Sequence, residues 1–153
     1  MVVLGISVST RLVGFAVMKD KELIEYRTKV FGGTWNKEKH LNILAMFDML
    51  YAYYNVTHLA IKTVHPSHSN KALNALTEQI VSSAQKEKIS VEHYSLSDLK
   101  NHLNLNKKQG VMGFVADKHL ELQNEYQKEC NSPNSYYIKM FEAIAVAEIQ
   151  TKQ

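Results

Sequence analysis

Residues 2–7, Val-Val-Leu-Gly-Ile-Ser, are apolar almost throughout, and this run narrows the possible folds more than any other part of the chain. A strand with one wet face alternates apolar and polar residues, whereas a continuous apolar run suits a central strand covered on both faces. The segment therefore predicts helices packed on both sides of a sheet. A second run, Leu12-Val13-Gly14-Phe15-Ala16-Val17-Met18, follows at once. Residues 22–30 read as a third strand, joined to the second through Lys19-Asp20-Lys21. Three strands so closely connected predict an antiparallel meander. The Thr10-Arg11 junction is short enough for a tight hairpin, although it lacks the favoured Asn-Gly chemistry.

Beyond Gly32-Gly33 the periodicity changes. From about Asn36 to Tyr54, Leu41, Leu44, Asp48 and Tyr51 fall on or near one stripe, with Phe47 and Tyr54 beside it. That spacing predicts an amphipathic helix. Residues 57–63 predict a fourth strand. Ser69 to Lys86 predicts a helix with Leu73, Leu76, Ile80 and Ala84 inward, and Ile89 to Tyr94 a fifth strand. Ser97-Asp98-Leu99-Lys100 starts a short helix. Val111 to Tyr126 and Tyr137 to Gln150 form the last two helices, divided by the turn-forming Asn131-Ser132-Pro133-Asn134. The order β-β-β-α-β-α-β-α-α contains a strand–helix–strand unit, which implies parallel pairing with a right-handed crossover. The expected class is α/β, with five mixed strands.

At 153 residues the chain is expected to be a single domain, 1–153, able to bury one core without disulfides or metals. With two prolines and six glycines, no obvious linker divides it. The lone cysteine, Cys130, rules out an internal disulfide and predicts a reducing compartment. Nothing nearby would activate it, so it reads as a buried or incidental thiol. The first apolar run is too short, and lacks a basic leader, to act as a secretion signal. No stretch approaches the roughly 20 apolar residues of a membrane span, so no membrane association and a cytoplasmic location are expected. A formal charge of +3 permits a polyanionic partner without demanding one.

Three motifs, in order, carry a resemblance. They are Leu4-Gly5-Ile6-Ser7-Val8-Ser9-Thr10 followed by Val13-Gly14-Phe15, then Ala60-Ile61-Lys62-Thr63-Val64 leading into Asn70-Lys71-Ala72-Leu73, and lastly Lys139-Met140-Phe141-Glu142-Ala143-Ile144-Ala145-Val146-Ala147. On these the chain resembles the RNase H-like superfamily, most closely RuvC-type Holliday junction resolvases, from Val2 to about Ile149. The resemblance implies a five-stranded RNase H-like domain with helices on both faces, a role in DNA recombination or repair, and a homodimer. It also implies that positions 7, 62, 139 and 142 are where carboxylates would hold two metal ions.

The chain departs from that pattern at Ser7, Lys62 and Lys139; only Glu142 is an acid. Two metal ions about 3.5–4 Å apart clamp the attacking and leaving oxygens of a phosphodiester displacement. Hard cations of that kind need oxygen ligands. An ammonium about 4 Å from a divalent ion costs several kcal/mol in a partly buried site. Two-metal hydrolysis is therefore not expected, and neither is a metal or other cofactor. Three readings remain for the lysines. Lys62 and Lys139 could bind phosphate directly, as point charges; they could pair with Glu142 as a stabilising ion cluster; or they could simply be exposed, the motif likeness being coincidental.

Two further constellations deserve weighing. His65-Pro66-Ser67-His68 places two imidazoles beside the altered site, and with Glu142 they compose a conceivable zinc or iron ligand set. The plainer reading is a loop with solvent-facing histidines. Lys100 to Gly110 is basic and rich in amides, and resembles the family's DNA-contacting loop, with Lys107 and Lys108 matching under a shift of about one residue. A solvated loop is again the plainer alternative.

The expected function is a catalytically degenerate RuvC-like protein that binds DNA or RNA, branched or structured DNA first, without cleaving it. The expected contacts are Lys62, Lys100, Lys107, Lys108 and Lys139. The alternatives are an active nuclease with rearranged ligands and a protein-interaction module that kept only the fold. Met46, Phe47, Met49, Tyr51, Tyr53 and Tyr54 exceed what one buried face needs, so the helix near 36–54 is the expected face for a second copy.

Overall fold

The computed structural model describes residues 1–105 and 110–153. Lys107 and Lys108 lie outside the described residues. One mixed sheet is formed by β1 (Val2–Val8), β2 (Leu12–Lys19), β3 (Glu22–Val30), β4 (His58–Lys62) and β5 (Ser90–Tyr94), in the order β3-β2-β1-β4-β5. The first three strands are the expected antiparallel meander, while β4 runs parallel to β1 and β5 parallel to β4. β1 is thus central, and its residues from Val3 to Val8 are all buried. The β2–β3 hairpin turns through Asp20 (φ 48°) and Lys21 (φ 73°). Two successive left-handed residues are what a tight twisted hairpin requires, here supplied without glycine.

The helices divide between the two faces. On one, α1 (Lys37–Tyr54) and α2 (Lys71–Lys86) cover Leu4, Ile6, Phe15, Val17, Leu59 and Ile61. Each helix is started by an asparagine whose Oδ1 accepts a backbone N–H, Asn36 from Lys39 and Asn70 from Leu73. On the other face lie α3 (Leu96–His102), α4 (Val111–Lys118), α5 (Gln123–Asn131) and α6 (Ile138–Thr151).

α6 is buried on nearly every side, from Met140 to Thr151. It rests unusually close to the sheet. A Cβ added at Gly5 would fall 2.1 Å from the Ala143 carbonyl oxygen, and one at Gly14 2.1 Å from the Lys139 carbonyl carbon. The sheet face beneath α6 is correspondingly made of small residues, Gly5, Gly14, Ala16 and Ala60, where the opposite face carries Ile, Leu and Phe.

Two sequence expectations are corrected. The buried stripe of α1 is Lys39, Ile43, Phe47 and Tyr51, while Leu41 is 52% exposed and Asp48 is exposed. A strict four-residue spacing aims the β-branched Ile43 and the Phe47 ring at the sheet, and Leu41 falls on the outer side. Tyr51 donates to the Ile80 carbonyl across the α1–α2 contact, and burial pushes its pKa up. The helix expected over 111–126 is broken. α4 ends at Lys118, His119 is extended, and a short 3-10 turn over Leu120–Leu122 leads into α5. Burial of Leu122 and a bond from His119 to Glu148 hold that break. Cys130 is exposed and not buried.

Candidate functional site

Strand alternation decides which side chains meet α6. Leu4, Ile6 and Val8 point to the α1–α2 face, so Val3, Gly5 and Ser7 point to α6. In the parallel register of β1 and β4, Ser7 lies opposite Lys62, and Gly5 opposite Ala60. Because Gly5 lets α6 settle onto this surface, Glu142 lands directly over Ser7 and Lys62.

The carboxylate of Glu142 gathers the other three positions. Ser7 Oγ donates to Oε1 at 3.0 Å, Lys139 Nζ donates to Oε1 at 3.0 Å, and Lys62 Nζ pairs with Oε2 at 3.2 Å. The Lys62 and Glu142 side chains are each 9% exposed, and that of Lys139 is 21% exposed. The four positions singled out in the sequence are therefore one cluster. Lys62 and Lys139 thus pair with Glu142 as an ion cluster. Two ammonium groups against one carboxylate leave a surplus of one positive charge.

The donor set does not fit a pair of divalent ions. Its one carboxylate is already engaged by two cations, and the ammoniums would repel a metal. Nor do His65, His68 and Glu142 assemble a metal centre. Among the described residues no group of three or more His, Cys, Asp or Glu side chains is placed to share an ion.

Two cavities flank the cluster. One of about 340 Å³ opens toward Ser9, Thr10 and Ser135, and another of about 420 Å³ toward Ser67, Ser95 and Glu142. Lys62, His65, His68 and Lys139 line both. Lys100 is exposed on α3 and lines neither. Leu41, Met49 and Tyr53 stand exposed on α1 at 52%, 72% and 79%.

Two positioning residues escaped the sequence reading. Lys39, 7% exposed, donates to the Thr10 carbonyl at 2.9 Å and lies 5.1 Å from the centre of the Trp35 ring. It fixes the β1–β2 turn that borders the first cavity. Glu129 accepts the backbone N–H groups of Tyr136 and Tyr137 at 2.9 and 3.0 Å, tying down the entry to α6 just before Lys139. A charged residue in a helix carries no sequence mark of such burial.

The fold has solved counterparts. The RuvC protein of Thermus thermophilus in complex with a Holliday junction substrate superposes with a TM-score of 0.74 at 18% identity, over 97% of this chain and 91% of that one. A second Thermus thermophilus RuvC structure gives 0.74 at 17% identity, over 97% and 92%. The fowlpox virus resolvase in complex with Holliday junction DNA gives 0.62 at 8% identity, over 98% of both chains. The chain has an RNase H-like fold of the RuvC type. No protein-family model and no curated protein matches its sequence.

Proposed function

We propose that this chain binds nucleic acid, branched DNA first, without cleaving it. The observation that carries this reading is the double neutralisation of Glu142 by Lys62 and Lys139, which leaves a cationic surplus between two open cavities where a hydrolytic site would need a cluster of acids. Two of the similar structures were solved with Holliday junction DNA, which supports a junction as the first ligand to try. In this reading Lys139, the more accessible lysine of the cluster, meets a backbone phosphate. Lys62 holds the field from beneath, Lys100 adds a contact outside the cleft, and Lys107 and Lys108 are further contacts expected from the sequence. The same reading pairs two copies of the chain through Leu41, Met49 and Tyr53 of α1.

The test is binding of a four-way DNA junction at about 50 mM salt, with and without magnesium, followed by a denaturing gel. Binding should persist in a chelator, weaken steeply with salt through counterion release, and leave the DNA intact. Replacing Lys107 and Lys108 together by alanine should flatten the salt slope by about two. Metal-dependent cutting that disappears in Glu142→Ala would replace this reading with a rearranged nuclease. No binding of DNA or RNA at all would leave a protein-interaction module.

A further inference from the structure

The chain has two arginines, and they are placed in opposite ways. Arg27, on β3, pairs with Glu25 at 3.3 Å. Arg11 is exposed at the tip of the β1–β2 turn, and among the described residues no carboxylate pairs with it. The turn beneath it is fastened on every side. The Ser9 N–H donates to the Leu12 carbonyl at 2.8 Å, and the Leu12 N–H to Ser9 Oγ at 3.1 Å. The Phe31 N–H donates to the Arg11 carbonyl at 2.8 Å. The Thr10 carbonyl takes its bond from the Lys39 ammonium at 2.9 Å. Lys39 is 7% exposed and, among the described residues, has no carboxylate partner either. Burying a cation in that way is costly. A solvated hairpin tip needs no such brace, since favoured two-residue turns close on turn geometry alone.

We infer that Arg11 is a phosphodiester-binding residue of the cleft, and that Lys39 is the positioning residue that presents it. This rests on the nucleic-acid reading above and adds a contact of a kind the lysine cluster does not supply. Ser9, Thr10 and Leu12 line the first cavity together with Lys62 and Lys139. The tip therefore stands at the rim of the surface that carries the cationic surplus. A guanidinium offers a planar fork of donors that matches two phosphate oxygens at once, whereas an ammonium acts as a point charge. The lysines supply field, and Arg11 supplies direction. A long side chain gives up rotamer freedom when it docks, and a backbone already fixed beneath it leaves less to be ordered on binding.

The experiment uses the full chain and a fluorescent four-way DNA junction, with affinity measured over a range of salt. Arg11→Gln should weaken binding about tenfold and flatten the salt slope by about one. Arg11→Lys keeps the charge but not the fork, so it should restore the slope while binding about threefold more weakly than the parent. Lys19→Gln removes one charge from the exposed far end of β2 and should match the parent. Lys39→Met should weaken binding about fivefold in the parent and have no further effect in Arg11→Gln, as expected of a residue that acts through another. Unchanged melting temperatures establish that the variants are folded. The Arg11 variants decide the contact even where Lys39→Met fails to fold, because the tip is exposed. Parental affinity in Arg11→Gln, or an equal loss in Lys19→Gln, overturns the contact while leaving junction binding in place. Parental affinity in Arg11→Lys overturns the fork, and additive losses for Lys39→Met and Arg11→Gln overturn the positioning role. Absence of junction binding by the parent overturns the nucleic-acid reading and this inference with it.

Discussion

α6 carries two buried glutamates six residues apart, about 9 Å along its axis, and they have opposite characters. Glu142 is gripped by Ser7, Lys62 and Lys139. Glu148, 2% exposed, accepts Lys118 Nζ at 2.6 Å and His119 Nε2 at 2.5 Å, which fastens the end of α4 to α6. Both carboxylates thus sit between two basic groups. What separates them is what happens when the carboxylate is taken away. The Lys118 side chain is 41% exposed and can swing into water. Lys62 cannot do so from its buried strand position. A buried acid between two bases is therefore not in itself the mark of a site. The marks are partners that cannot leave and open space beside them.

The largest effect expected from this contrast is that of Glu142→Gln, which strands the buried Lys62 ammonium and should cost about 3–5 kcal/mol in chemical denaturation. Adding Lys62→Met should recover much of that loss, because the stranded charge goes with it. In whatever fraction stays folded, junction affinity should rise and its salt slope steepen by about one. Weaker DNA binding in folded Glu142→Gln would contradict the cationic-surplus argument. Gly14→Ala comes next. Its new methyl group meets the backbone of Lys139, and lifting α6 should cost about 3 kcal/mol. The loss of stability should be accompanied by altered junction binding, since the same displacement moves Lys139 and Glu142. Glu148→Gln should cost only about 1–2 kcal/mol and leave junction affinity unchanged. An equal loss for the two glutamate variants would erase the distinction between clamp and site. The smallest effect is a gain, from Lys21→Gly. It relieves a left-handed lysine in the β2–β3 turn and should raise stability by about 1 kcal/mol without touching either cluster.

Sequence patterns revealed the strands well because their signal is a face. The unbroken run at Val2–Ile6 required a doubly covered strand, and Val3 to Val8 are all buried. Motif order led to positions 7, 62, 139 and 142, and these converge. Their bonding pattern was not legible. Whether a lysine bonds a carboxylate or faces water depends on how closely two elements approach, and here Gly5 and Gly14 set that approach through atoms they lack. Helix phase was harder to read. α1 offers apolar residues on most of its circumference, so Leu41 and Ile43 compete for the inner side, and only the sheet decides. The break at His119 was invisible because its causes, Glu148 and the pocket for Leu122, lie on the far side of the fold in sequence.

Placing Lys62 opposite Ser7 on neighbouring strands has a consequence for what the folded state responds to. A version of this chain with Ser7→Asp, Lys62→Glu and Lys139→Asp would crowd four carboxylates together. Its folding would become linked to free divalent cation, its stability growing as RT ln(1 + [M]/Kd). In the natural chain the counterion is a side chain, present at unit stoichiometry in every molecule and unable to be chelated or diluted away. Its occupancy is fixed at translation, so the concentration of magnesium in the surroundings ceases to be a variable of the fold.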